Sequence, residues 1–120
     1  MRNRSFQKKE HLKKSEEIKN VLDNGISIRG KLISIFMLKQ AVDVCGINRV
    51  AFLTRKILYN KKTVLRNRFR RILKEAYRRI RYCVPVGYDM VIMATRVKKD
   101  TKSLVIEKEI YNVFTKRFQK

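Results

Sequence analysis

Between Val64 and Arg79 the sequence VLRNRFRRILKEAYRR carries six arginines and one lysine against a single acid, Glu75. Guanidinium groups do not break bonds by themselves. Their planar fork grips pairs of phosphate oxygens or stacks on a base. The chemistry written here is recognition of a polyanion, and the arginine bias suits a backbone of irregular geometry.

Residues that cleave are harder to find. His11 is the only histidine. It lies in a basic stretch, and it is expected to be a solvent-exposed bystander rather than an acid–base catalyst. The ten acids are scattered without the paired-carboxylate spacing that two-metal phosphodiester cleavage requires. Cys45 and Cys83 have no second cysteine or histidine at ligand spacing, so they read as two reduced structural thiols and not as a zinc site. The sequence predicts no catalytic side chain and no metal held by the protein alone.

The basic run must itself be a helix. Leu65, Phe69, Ile72, Leu73, Ala76 and Ile80 recur at i, i+4, i+7, i+8, i+11 and i+15, a stripe that seeks burial, and Thr63 is placed to cap its start. Turning about 100° per residue puts Arg70, Arg71, Lys74, Arg78 and Arg81 opposite the stripe, with Arg66 and Arg68 on its shoulders. One continuous cationic strip is expected. Like charges at i, i+4 cost ~0.2–0.5 kcal/mol per pair, and Arg66/Arg70, Arg70/Lys74 and Lys74/Arg78 all have the wrong sign. Phosphates laid along the strip would reverse each of these terms.

Composition points the same way. The 120 residues carry a formal charge of +21 with 44% hydrophobic and 34% charged residues, enough for one modest core and far more charge than solubility needs. Nucleic acid is the polyanion that fits. A membrane surface would be met by an amphipathic segment with exposed apolar bulk or by a lipidation signal. No apolar run approaches the ~20 residues of a membrane span, and MRNRSFQKKEHLKK lacks the apolar stretch of a secretory signal. A cytoplasmic protein with no membrane association is expected.

Around the basic helix the chain reads as follows. Residues 1–14 form a loose basic arm, and 15–120 a single domain. Ser15 caps a short amphipathic helix in which Ile18, Val21 and Leu22 share a face and Gly25 is the stop. A short strand at Ile26–Arg29 precedes a longer one ending at Lys39, where Ile33, Ile35 and Met37 face one way and Ser34, Phe36 and Leu38 the other. QAVDVCG reads as a hairpin connection to a strand in NRVAFLTRK, and ILYNKK is a loop. After the basic helix, ended by Pro85 and Gly87, come a strand in YDMVIMATR and a closing helix with Ile106, Ile110, Val113 and Phe114 inward. The class is α+β, in the order α-β-β-β-α-β-α. Charge alone leaves three other readings open: a ribosomal or other structural RNA-binding protein, a DNA-binding regulator, and a membrane-active cationic protein.

At TVLRNRFRRILKEAYR the chain closely resembles the protein subunit of bacterial ribonuclease P, whose hallmark is an Arg-Asn-Arg core followed after one residue by two more basic positions. Those are Arg66, Asn67, Arg68, Arg70 and Arg71 here. HLKKSEEIKNVLDNG is similar to the family's first helix, ISIFMLK to its next strand, RVAFLTRK to the strand before the motif and YDMVIMATR to the strand after it. Two departures stand out. RKILYNKKTVLRNR lacks the family's usual glycine and is about two residues longer, and Ile18 and Leu22 replace frequent aromatics.

The resemblance implies a mixed central sheet with a left-handed β-α-β crossover through the basic helix, against the usual hand. It implies a protein that binds a catalytic RNA and helps it remove the 5′ leader of precursor tRNA. Mg²⁺ would be held mainly by the RNA, which would carry the catalysis, and no protein partner would be required. Lys61, Lys62, Arg66, Asn67, Arg68, Arg70, Arg71 and Lys74 would dock on the catalytic RNA. On a separate surface, Lys14, Ile18, Leu22, Phe36, Arg55 and Lys56 would hold the leader, although Ile18, Leu22 and Phe36 fit core packing equally well.

Overall fold

YDMVIMA is apolar on both of its faces, and a strand of that kind belongs in the middle of a sheet covered from both sides. In the computed structural model, which describes residues 10–40, 48–55, 62–84, 87–98 and 100–118, that is its place. The elements are α1 (Ser15–Asn24), β1 (Ile26–Arg29), β2 (Ile33–Lys39), β3 (Arg49–Thr54), α2 (Thr63–Ile80), a 3₁₀ turn (Arg81–Cys83), β4 (Tyr88–Ala94) and α3 (Ser103–Phe118). The sheet order is β1-β2-β4-β3. β1 with β2 and β2 with β4 are antiparallel, whereas β3 and β4 are parallel and are joined through α2.

The α+β class and the element order match the sequence reading, and the expected hairpin between β2 and β3 does not. β4 inserts between those strands, because its doubly apolar sequence gains more from the central position than either neighbour would. Most of QAVDVCG lies outside the described residues.

Period-two alternation divides the sheet into two faces. On one, Ile33, Ile35, Met37, Val50, Phe52, Met90 and Ile92 meet Phe69, Leu73, Ala76 and Ile80 of α2 and Ile106, Ile110 and Phe114 of α3 in the main core. On the other, a smaller cluster joins Val21 of α1 to Leu12, Ala51 and Val91, with Ile18, Leu22, Phe36 and Leu53 packed against it. Tyr77 escaped the stripe read from the sequence, yet it is 1% exposed. Its ring meets Phe52 edge to face at 6.0 Å, and burial pushes its phenol well above the usual range. Asn48, also buried, accepts the Tyr88 N–H at 2.9 Å.

Two helix starts differ from expectation. Lys14 and Lys62 are the N-caps, without side-chain capping bonds. Their carbonyls already accept the first helical N–H groups, from Ile18 and Arg66. Ser15 and Thr63 thus stand one position inside, where a hydroxyl no longer caps. The described end of the expected loose arm is also ordered by contacts: Leu12 is buried and donates its N–H to the Val50 carbonyl at 3.0 Å. Gly25 does stop α1, for reasons of space rather than backbone angle. Its φ is −77°, and a Cβ there would sit 2.5 Å from the Val21 oxygen and 2.8 Å from the Met37 oxygen.

Gly25→Ala should therefore destabilise the fold by about 1–3 kcal/mol, the usual cost of forcing atoms into filled space. Urea denaturation followed by circular dichroism measures this, and an unchanged midpoint would show that α1 and β2 separate without cost.

Candidate nucleic-acid interface

Because β3 is an edge strand, α2 folding back over it leaves a groove along that edge. The groove holds about 590 Å³ and is lined by Asn67, Arg70, Arg71 and Lys74 of α2, by Val50 to Leu53 of β3, by His11 to Lys13, and by Ile18 of α1. Positions 67, 70, 71 and 74 follow i, i+3, i+4, i+7, one helical face. No acid lines it. An apolar floor under a cationic wall is the form that takes bases below and phosphates above.

The expected continuous strip proves shorter. In the last third of α2, Glu75 pairs with Arg78 at 2.7 Å and with Arg79 at 3.1 Å. Arg79 also lies 3.9 Å from Glu107, and Arg81 beyond the helix is held by Glu10 at 2.8 Å. Hydrogen bonds from Arg78 and then Arg79 hold the Glu75 carboxyl below its usual range. Among the described residues Arg68, Arg70 and Arg71 make no ion pair, so the open cations gather in the first half of the helix. Arg68 points away from the groove, beside Lys62 and Leu65 in a small hollow of its own; Arg66 is exposed on the other shoulder.

Of the residues expected on a separate leader surface, Ile18 faces the same space as Asn67, Arg70, Arg71 and Lys74. Leu22 and Phe36 are half-buried in the cluster under α1. Lys14 and Arg55 are exposed at the start of α1 and the end of β3, while Lys56 and Lys61 lie outside the described residues. His11 is not the exposed bystander expected. It bridges to Val50 in parallel register and lines the groove. Sequence alone gave no signal for it or for Lys13, because their place depends on which strand forms the edge.

A ribonuclease P family model matches residues 6–117. The chain belongs to the ribonuclease P protein family. Two relatives named ribonuclease P protein component fit this. That of Clostridioides difficile strain 630 is 35% identical over 109 residues, spanning 90% of this chain and 91% of its own. That of Carboxydothermus hydrogenoformans is 35% identical over 101 residues, spanning 83% and 84%. The fold is also similar to the solved ribonuclease P proteins of Thermotoga maritima (TM-score 0.72, 20% identity, 92% and 99% of the two chains) and Staphylococcus aureus (0.71, 19%, 91% and 95%). A ribosomal or other structural RNA-binding protein is not favoured.

Among the described residues no three His, Cys, Asp or Glu side chains stand close enough to hold an ion. The central carboxylates are engaged elsewhere, as Asp89 is by Arg49 at 2.8 Å. No described helix is long and apolar enough to cross a membrane.

Desolvation, and then Lys74 and Lys13, push the His11 imidazole below its ordinary value against the opposing pull of Glu10. A folded pKa below the unfolded one means that the neutral ring stabilises the fold at neutral pH, and that this stability falls as pH drops through the unfolded value. Phosphates in the groove would offset Lys74 and Lys13 and raise the ring. An NMR titration should show His11 below the ordinary histidine value in the free chain and shifted upward with oligouridylate bound. An unperturbed midpoint in both states would place the imidazole outside the field of these cations.

Proposed function

We propose that this chain is the RNA-binding subunit of the ribonuclease P endoribonuclease, docked on its catalytic RNA and holding the 5′ leader of precursor tRNA. The carrying observation is the β3-edge groove, where Asn67, Arg70, Arg71 and Lys74 stand over an apolar floor with no acid present. Family membership supplies the partner, and the groove supplies the means. Arg66, Arg68, Arg70 and Arg71, with Lys61 and Lys62, neutralise RNA phosphates. Ile18 receives the leader, together with Lys14, Leu22, Phe36, Arg55 and Lys56.

In this reading the protein carries no bond-breaking group. Mg²⁺ held by the RNA would supply the activation of the attacking water, and the protein lowers the repulsion between two polyanions that must approach each other. No protein partner is required, and the reaction takes place in the cytoplasm.

Reconstitution tests the proposal: the chain should let its ribonuclease P RNA cleave precursor tRNA at magnesium levels where the RNA alone is idle, and Arg70→Ala/Arg71→Ala should forfeit most of that gain. Folded variant protein that rescues cleavage as well as wild type would remove the groove from the interface. If about six phosphates are neutralised, affinity for the RNA should fall with salt at a log–log slope near −4 to −5, and a flat salt titration would exclude electrostatic docking. Lys14→Ala should weaken binding of precursor tRNA more than of mature tRNA; equal weakening would move the leader away from α1.

A further inference from the structure

At the opposite edge of the sheet, α3 and the β1–β2 turn enclose a second groove of about 870 Å³. Arg29, Lys31, Arg96, Lys108 and Lys116 surround it, over an apolar floor of Ile28, Val105 and Val113. Among the described residues none of these five cations makes an ion pair. The groove does contain one acid, Glu109, but its carboxylate is turned under the β1–β2 turn. There it accepts the N–H groups of Leu32 at 2.8 Å and Ile33 at 2.9 Å. Gly30 lets it fit, since any side chain at that position would run into the carboxylate. The acid that could balance the rim is thereby engaged with backbone.

Lys108 and Asn112 also line an adjoining hollow with Tyr82, Tyr111 and one acid, Glu107, which lies 3.9 Å from Arg79. These two rings are 67% and 45% exposed, an uncommon state for tyrosines in so small a protein, and neither contributes to the core. On α3, positions 108, 111, 112 and 116 share one face. Cations that track a phosphate ribbon and open aromatic rings beside them are the two components of a single-strand binding surface. An acidic peptide would use the cations and leave the rings without a role.

The geometry points to a second RNA-binding surface on the β1 edge and α3, which takes a single-stranded RNA segment with its phosphates along Arg29, Lys31, Arg96, Lys108 and Lys116 and its bases on Tyr111 and Tyr82. It rests on the reading of this chain as an RNA-binding subunit, and it adds a surface at the opposite edge of the sheet from the α2 groove. One chain can then hold two RNA segments at once.

Fluorescent oligouridylate titrated against the full chain tests this. Wild type should bind two oligonucleotides. Lys108→Ala/Lys116→Ala should weaken one of the two by about tenfold and lower its salt slope by about 1.4, at 0.7 per single-strand phosphate contact. Tyr111→Ala should cost the same site about tenfold and Tyr111→Phe almost nothing. Arg70→Ala/Arg71→Ala should weaken only the other site. Should Tyr111→Ala lower the melting temperature, the lysine pair, which is fully on the surface, decides alone. Wild-type binding by the lysine pair, with all binding lost in the arginine pair, would overturn the second surface and leave the proposed function standing. Loss of oligouridylate binding in neither pair would overturn both. Stronger competition by oligoglutamate than by unlabelled oligouridylate at the α3 face would assign that face to an acidic protein and overturn the RNA reading.

Discussion

Thirty-one basic side chains share this domain with ten acids, and where those ten are placed decides which cations face outward unopposed. Six of them are fixed by the fold. Glu10 holds Arg81, Glu17 and Asp89 hold Arg49, Glu75 holds Arg78 and Arg79, Glu107 lies by Arg79, and Glu109 takes two backbone N–H groups. None of the six lines the α2 groove, and Glu109, the one that lies in the α3 groove, is turned onto backbone N–H groups. Self-repulsion is thus relieved at the joints between elements, where it would otherwise separate them, and left standing on two outer faces.

Both faces coincide with sheet edges. An open edge strand invites pairing with another chain, and positive charge is one of the usual protections. β4 takes the centre because both of its sides are apolar, which forces β3 and β1 outward. Each edge is then bordered by a helix that supplies cations: α2 beside β3, α3 beside β1. The same charge that keeps the edges from self-association makes them receptive to phosphate.

How far the sequence alone reached follows from the range of the forces involved. Helical periodicity is local, so α2 and the inward residues of α3 could be read directly; so could the two faces of β2. Tyr77 was missed because a phenol scores as polar, whereas Phe52 and Asn48, which make its burial tolerable, come from a different part of the chain. The order β1-β2-β4-β3 was not legible, since it depends on competition among strands for the central place. Whatever depended on that order was lost with it: the role of His11, the meeting of Ile18 with Arg70 and Arg71, and the interruption of the cationic strip by Glu10. Glu75 stood in plain view within the basic run, but its hold on Arg78 and Arg79 appears only when rotamers are known. The Arg-Asn-Arg resemblance identified the family where pattern and charge reached only nucleic acid.

The groove walls also differ in how firmly they are held. α2 buries Phe69, Leu73, Ala76, Tyr77 and Ile80, whereas Val21 is the one buried residue of α1. α1 is also held by Ile18 and Leu22, half-buried against the smaller cluster, and by Glu17, which reaches Arg49 at 3.3 Å while Asp89 fixes that arginine from the sheet at 2.8 Å. Elements with few buried apolar contacts open at the low end of the stability range, and partly exposed ion pairs weaken with salt. The wall bearing Ile18 is therefore held less firmly than the arginine wall. The groove thus has one wall set by a row of buried side chains and one whose fastening depends in part on an ion pair that salt weakens.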